Sequence, residues 1–207
     1  MSDDITKPFY KKWWFIVLVV IVIAAGVGGE GGSGGTKYAS TGGKDFKPNI
    51  VVSSRPGDEQ KFIEAVEKGQ KESKGVENDM ARGGILKTRN DSLCASISSV
   101  YVNDWTGWVE SIDSNSDGKG VLSVEVTRNA TVETWNNDLS DIGSNTLLEP
   151  GSELFTTASA LKEGQEVKFS GHFITERKSC IGEQSMGLRG KLEDPEFTFK
   201  FSSIEKL

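Results

Sequence analysis

The residues from Asp113 to Gly118 read Asp-Ser-Asn-Ser-Asp-Gly, the opening half of a calcium loop of the form D-x-[DN]-x-[DN]-G. In such a loop Asp113, Asn115 and Asp117 supply side-chain oxygens, Gly118 permits the sharp turn, and Lys119 offers its carbonyl. A bidentate carboxylate is then required at the twelfth position, where Val124 stands, with Glu125 one place off. The flanking residues alternate as strands do, which rules out the helix-loop-helix of an EF-hand. Two readings remain. One is a looser hairpin calcium site completed by Glu110 or Glu125. The other is a polar turn whose Asp, Asn and Gly satisfy turn geometry, and the missing carboxylate favours it.

Other chemistry is sparse. The only histidine, His172, lies in a strand pattern between Gly171 and Phe173, with Ser170 too close in sequence to be informative. No nucleophile-elbow, zinc-protease or phosphate-loop pattern occurs. No catalytic residue is therefore expected. The enzymatic alternative is an unrecognised carboxylate site drawing on residues such as Glu110, Asp117 or Glu125. The acidic run from Glu193 to Glu196 reads as a solvated turn.

The elements that must hold these residues are strands from Trp105 onward. Period-two alternation marks strands at 106–112, 120–127, 130–135, 165–174 and 196–204, with a helix-like stretch at 152–164 between the third and fourth. Phe197, Phe199 and Phe201 share one face of the last strand. Three strands, a helical connection and two more strands follow the order of an OB-fold, a small five-stranded barrel that binds oligonucleotides or oligosaccharides on the face of strands two and three. Trp105, Trp108 and Trp135 are candidate stacking surfaces for such a ligand, with Asn136 and Asn137 as polar partners.

Residues 56–98 read as helix. Pro56 to Glu59 supplies a start, and Phe62, Val66, Gly69, Ser73, Val76, Met80 and Gly83 form one small or apolar stripe. So few large apolar residues suit a helix docked on the domain better than a self-sufficient coiled coil. Cys94 and Cys180 are the only cysteines. In an oxidising compartment such a pair is most simply a disulfide, contributing about 4 kcal/mol in the chain-entropy model.

The N-terminal region determines the compartment. From Trp13 to Ala25 every residue is apolar, and Gly26 to Gly28 extends the run, so 13–28 is expected to cross the bilayer. Lys7, Lys11 and Lys12 place residues 1–12 in the cytoplasm, while Trp13 and Trp14 suit the interfacial belt. A cleaved secretory signal ending near Ala24 and Gly26 is the competing reading; both export the remainder. Residues 29–55 form a Gly-rich flexible linker, which leaves 99–207 for the barrel domain. The formal net charge is −6, made up of +2 over the first 47 residues and −8 beyond them. A domain so acidic is a poor match for nucleic acid, whose binding depends on displacing counterions with basic groups.

The basic and aromatic start followed by an apolar run and glycines, together with the helix-to-strand passage from Leu161 to Phe173, resembles uncharacterised single-span bacterial envelope proteins with an OB-like exported domain. The resemblance implies a mainly β architecture with some α structure but lends no activity. The expected protein is thus a single-pass cytoplasmic-membrane protein with its C-terminal domain outside. Its expected role is non-enzymatic binding or scaffolding, with the bilayer as one partner and a glycan or another envelope protein as the other. No cofactor is expected; calcium at 113–118 is the alternative.

Overall fold

The computed structural model describes residues 55–177 and 179–207. The membrane span expected at 13–28 lies outside them, as does the linker apart from Arg55. Among the described residues no helix is long and apolar enough to cross a membrane.

Two helices replace the continuous helix expected over 56–98. Helix α1 (Gly57–Ser73) follows Pro56, with Asp58 and Glu59 in its first turn opposing the dipole. The chain then turns through Gly75 at φ +77°, a conformation that β-carbon sterics deny to most residues. Asn78 starts α2 (Asp79–Ser96), its side-chain oxygen accepting the Ala81 N–H at 2.8 Å. The apolar stripe ends at that break: Phe62, Val66, Gly69 and Ser73 are buried, whereas Met80 is 90% exposed.

Five strands follow: β1 (Tyr101–Ser114), β2 (Gly120–Thr127), β3 (Ala130–Glu133), β4 (Glu166–Phe173) and β5 (Glu196–Lys206). Between β3 and β4 lie a single turn, α3 (Asp138–Asp141), and α4 (Glu153–Ser159), shorter than the helix expected there; α5 (Gly187–Glu193) precedes β5. The result is a mixed α/β structure whose sheet closes into a ring in the order β1-β2-β3-β5-β4. Every pairing is antiparallel except β3 with β5, which run parallel over Thr131–Glu133 and Glu196–Thr198.

Alternation fills the ring. Leu122, Val124 and Val126 point inward from β2, Phe197, Phe199 and Phe201 from β5, and Val167, Phe169 and Phe173 from β4, all buried. Helix α1 covers the ring's end by inserting Phe62, whose ring centroid lies 5.0 Å from that of Phe197, 5.1 Å from Trp105 and 5.4 Å from Phe173. Packing a fully buried Phe in this way contributes on the order of 3 kcal/mol. Cys94 at the end of α2 is bridged to Cys180, their Cα atoms 5.7 Å apart. Beside that bridge the buried Arg89 of α2 donates to the Glu183 carboxylate and to the Lys191 carbonyl, with its guanidinium 5.5 Å from the Phe197 ring centroid.

Closure brings backbones together at Gly171, where an added Cβ would stand 2.2 Å from the Lys200 carbonyl oxygen and 2.6 Å from the Phe199 ring. Gly171→Ala is therefore expected to cost about 1–3 kcal/mol, as overpacking does. Gly83→Ala, in a helix interior where nothing lies within 4 Å of the added methyl, should instead gain up to about 1 kcal/mol. Urea unfolding of the two variants checks both signs.

Candidate functional site

Strand register assembles an acidic surface on the outside of the ring. Residues paired across neighbouring strands share a face. Ser111 pairs with Ser123, Ser123 with Glu133, and Glu133 with Thr198; one step along, Trp108 pairs with Glu125, Glu125 with Thr131, and Thr131 with Glu196. Glu110 sits at the register shift between Val109 and Ser111 and reaches the same face, because the Ser123 hydroxyl lies 2.8 Å from Glu110 Oε2 and 3.2 Å from Glu133 Oε2. That hydroxyl has one proton for two carboxylates. Thr131 Oγ1 stands 3.3 Å from the same Glu133 oxygen.

Four carboxylates thus share the face: Glu110, Glu125, Glu133 and Glu196. Burial, then Glu196 and Glu110, push Glu133 up to about 7 despite its hydroxyl partners. Burial is also the largest cause raising Glu125 and Glu196, and Glu110 adds to both. Burial makes Glu125, Glu133 and Glu196 hold their protons more tightly, and negative neighbours add to it. A cation brought to this surface would relieve all of them.

Towards the helical end, α1 supplies polar partners. The Thr106 hydroxyl donates to Glu59 Oε1 at 2.9 Å, and Arg55 Nε stands 3.5 Å from the same oxygen. Thr127 Oγ1 donates to Glu67 Oε1 at 2.6 Å. Glu59 is fully buried, and desolvation raises it to about 7 against the pull of Arg55.

The tryptophans expected to line one ligand surface part company. Trp105 has no exposed area and packs against Phe62 and Phe173 inside the ring, so it is a core residue and not a stacking platform. Inward alternation on β1 is the reason. Trp108 does reach the acidic face, nearly buried, with the Arg55 guanidinium 5.9 Å from its ring centroid. Trp135 lies half-buried beyond β3, where its backbone N–H donates to Thr146 Oγ1 at 2.8 Å. That position is fixed by Asp141, a carboxylate that sequence reading passed over, which accepts from Thr146 N, Thr146 Oγ1 and Leu147 N.

The loop at 113–118 is built around an internal cation. Asn115 Oδ1 accepts the Asp117 and Lys119 N–H groups, and its amide donates to Asp138 Oδ2 at 2.5 Å. Lys119 Nζ stands 3.0 Å from both Asp138 Oδ1 and Glu149 Oε1. A hydrogen bond shared with Asp138 raises Asp117, while Lys119 lowers Asp138. Asp113 is exposed at the end of β1, opposite Val121. Among the described residues no group of three His, Cys, Asp or Glu side chains is placed to hold a metal. His172 is half-buried on β4, held below its ordinary range by burial and then by Lys200. No family model matches the chain, and no curated protein or solved structure does.

Two predictions follow from these geometries. Because Asn115 Oδ1 is taken by the loop's own N–H groups and Lys119 places a positive charge beside the loop, millimolar calcium should leave the melting temperature where chelator puts it; a calcium-dependent rise would show that the loop opens to bind the ion. The second concerns pH. Glu133 and Glu59 bind protons more tightly folded than unfolded, so between about pH 4.5 and 7 the native state carries more protons and stability falls as pH rises. Their contribution is fully present below 4.5 and lost through 7. Denaturant titrations at pH 5 and pH 8 should show a smaller loss in Glu133→Gln than in the parent.

Proposed function

We propose that this chain is a membrane-anchored extracytoplasmic binding or scaffolding protein, with an OB-like barrel that meets a basic surface of another envelope protein through its acidic face. Several features support the OB-like reading: a five-stranded ring ordered β1-β2-β3-β5-β4, a parallel β3–β5 seam, and helical structure between β3 and β4. Such folds use the outer face of strands two and three for binding, and here that face carries Ser123, Glu125, Thr131 and Glu133. The single observation that carries the proposal is the clustering of Glu110, Glu125, Glu133 and Glu196 there, the last three with raised proton affinities that a cationic partner would relieve. The Cys94–Cys180 bridge fits an oxidising compartment, and the apolar run at 13–28 is the means of anchoring.

A second reading has an observation of its own. Glu133, pushed to about 7, shares the Ser123 hydroxyl with the Glu110 carboxylate, and a carboxyl that keeps its proton near neutral pH is what a general acid requires. The binding reading needs all four carboxylates, the enzymatic one only this pair.

The test is made on full-length protein in cells. Thiols blocked before lysis should leave Cys94 and Cys180 unmodified until reductant is added, and external protease should reach the domain once the cytoplasmic membrane is exposed. Zero-length carbodiimide coupling, which joins carboxylates to amines in contact, should give a discrete protein adduct that Glu110→Gln/Glu125→Gln/Glu196→Gln abolishes. Alkylated cysteines and a protected domain would overturn the topology. An adduct unchanged in the triple variant would overturn the role of the face.

A further inference from the structure

Between β3 and α4 the chain forms a knuckle that divides its aliphatic side chains sharply. Leu147 and Leu148 are buried, whereas Leu139 and Ile142 are 81% and 75% exposed. Three residues apart on the single turn α3, those two share one face of it. The other large hydrophobics exposed among the described residues are Met80, Tyr101, Met186 and Leu207. They are scattered along the chain, as isolated apolar residues commonly are on a surface. At α3 two of them project together.

Hydrogen bonds fix the pair in that exposed position. The Asn137 side chain accepts the Ser140 N–H at 2.9 Å and caps the turn. The Asp141 carbonyl then accepts from the N–H groups of Ser144 and Asn145, and the buried Asp141 carboxylate ties the returning chain at Thr146 and Leu147. Gly143 and Asn145 take the left-handed conformation that this return requires, at φ +85° and +51°. Folding Leu139 and Ile142 inward, beside Leu147 and Leu148, would break these bonds. The rim of the pair is uncharged: its exposed neighbours are Asn136, Asn137, Ser140, Gly143 and Asn145. Of the two aspartates in the turn, Asp141 is buried and Asp138 is held by Lys119 and Asn115. On a region that carries −8 beyond residue 47, this tip is apolar and without a free charge.

We infer that Leu139 and Ile142 insert into the interfacial layer of a lipid bilayer, giving the domain a second and reversible membrane contact. The inference rests on the membrane-anchored reading proposed above. Lipid suits what the knuckle presents. A projecting tip needs no preformed pocket in a deformable layer, the two aliphatic side chains enter among acyl chains, and the amide and hydroxyl rim stays hydrogen-bonded at headgroup depth. Two aliphatic side chains are too few to hold a protein on a membrane from solution, since even one acyl chain does so only marginally. A tether changes the arithmetic. The linker expected over 29–55 has, as a flexible coil of that length, an end-to-end distance of roughly 30 Å. Each encounter with the bilayer is then intramolecular, at high effective concentration. The reach matters because the knuckle lies beside Lys119 and Gly120 at one end of β2, while Arg55, where the linker ends, donates to the Val126 carbonyl at the other. A short linker would hold the knuckle away from the membrane; this one lets the domain turn it inward.

Full-length protein in phosphatidylcholine nanodiscs tests the inference. Ser140→Cys carries an environment-sensitive dye, attached without reductant so that the Cys94–Cys180 bridge stays closed; the same dye on Ala81→Cys, exposed on α2, is the reference. Lipid spin-labelled on its acyl chain should quench the dye at 140 several-fold more than the dye at 81, equally at low and high salt. Leu139→Asp/Ile142→Asp should lower quenching at 140 to the reference value and melt as the parent does. Equal quenching at both positions, quenching lost in high salt, or quenching that the double variant leaves unchanged overturns the inference. A blue shift at 140 without quenching, growing with the number of chains per disc, also overturns it and assigns the knuckle to a second copy. Gel filtration of the same samples separates the two readings. Protein that elutes apart from the discs refutes the anchor and this contact with it; protein that stays with the discs, unquenched at 140, refutes this contact alone.

Discussion

Closing only five strands into a ring is the constraint on which the rest of this structure depends. A small ring demands strong coiling, and strands accommodate it through bulges, glycines and one short seam. Four of the five strand pairings carry a register shift, and the fifth, between β3 and β5, is a parallel contact of three residue pairs. Gly171 and Gly107 lie where a side chain would strike the neighbouring strand's backbone. The bulges do more than relieve strain. The shift at Glu110 puts a carboxylate beside Ser123, and the shift at Asp104 lies at a surface cavity that Asp104 and Ser170 help to line. Each of these features is therefore a by-product of closure.

A ring so small has an open end to cover, and the helical hairpin covers it. Phe62 supplies the apolar plug, while the flanks of the hairpin are joined to the ring by polar contacts: Glu59 with Thr106, Glu67 with Thr127, Arg89 with Glu183. Such contacts add little net energy when water is the alternative, since desolvation offsets most of the attraction. Burial pushes Arg89 down and Glu183 up, each toward its neutral form, which is the expected signature of that offset. Their value lies in placement. An apolar plug alone could rotate in its socket, whereas a buried ion pair left unmatched costs about 3–5 kcal/mol, so only one seating is tolerated. The disulfide between Cys94 and Cys180 lies beside that ion pair and fixes the same end of α2 covalently.

Much of this architecture was legible because its signals are local. Period-two alternation located β2, β4 and β5 almost to the residue, and the pair of cysteines implied their bridge. The helix break was legible too, although the seven-residue stripe masked it: Gly75 followed by Asn78-Asp79 is a stop and a new cap, yet a stripe continues formally through Val76, Met80 and Gly83. Trp105 illustrates a different limit. Alternation gives the phase of β1, but which phase faces inward depends on what the opposite strands bring, and here Phe62 and Phe173 claim it. Nothing local announced the acidic face. Glu110, Ser123, Glu133 and Glu196 come from four strands, and only register, itself shifted by a bulge at Glu110, makes them neighbours.

The two outer surfaces differ in a way that follows from their neighbours. On β1, β2, β3 and the start of β5 the face carries carboxylates and hydroxyls, with Arg55 at its helical edge beside Glu59 and Trp108, and burial together with the gathered negative charge raises the proton affinity of Glu133. Along β4 the outward positions carry Lys168, paired with Asp104 and Glu205, and His172, opposite Lys200 of β5. One ring thereby holds one face on which carboxylates gather and another on which charges of both signs are interleaved. Both faces share β1 and β5, so the bulges that let the ring close also set which side chains each face presents.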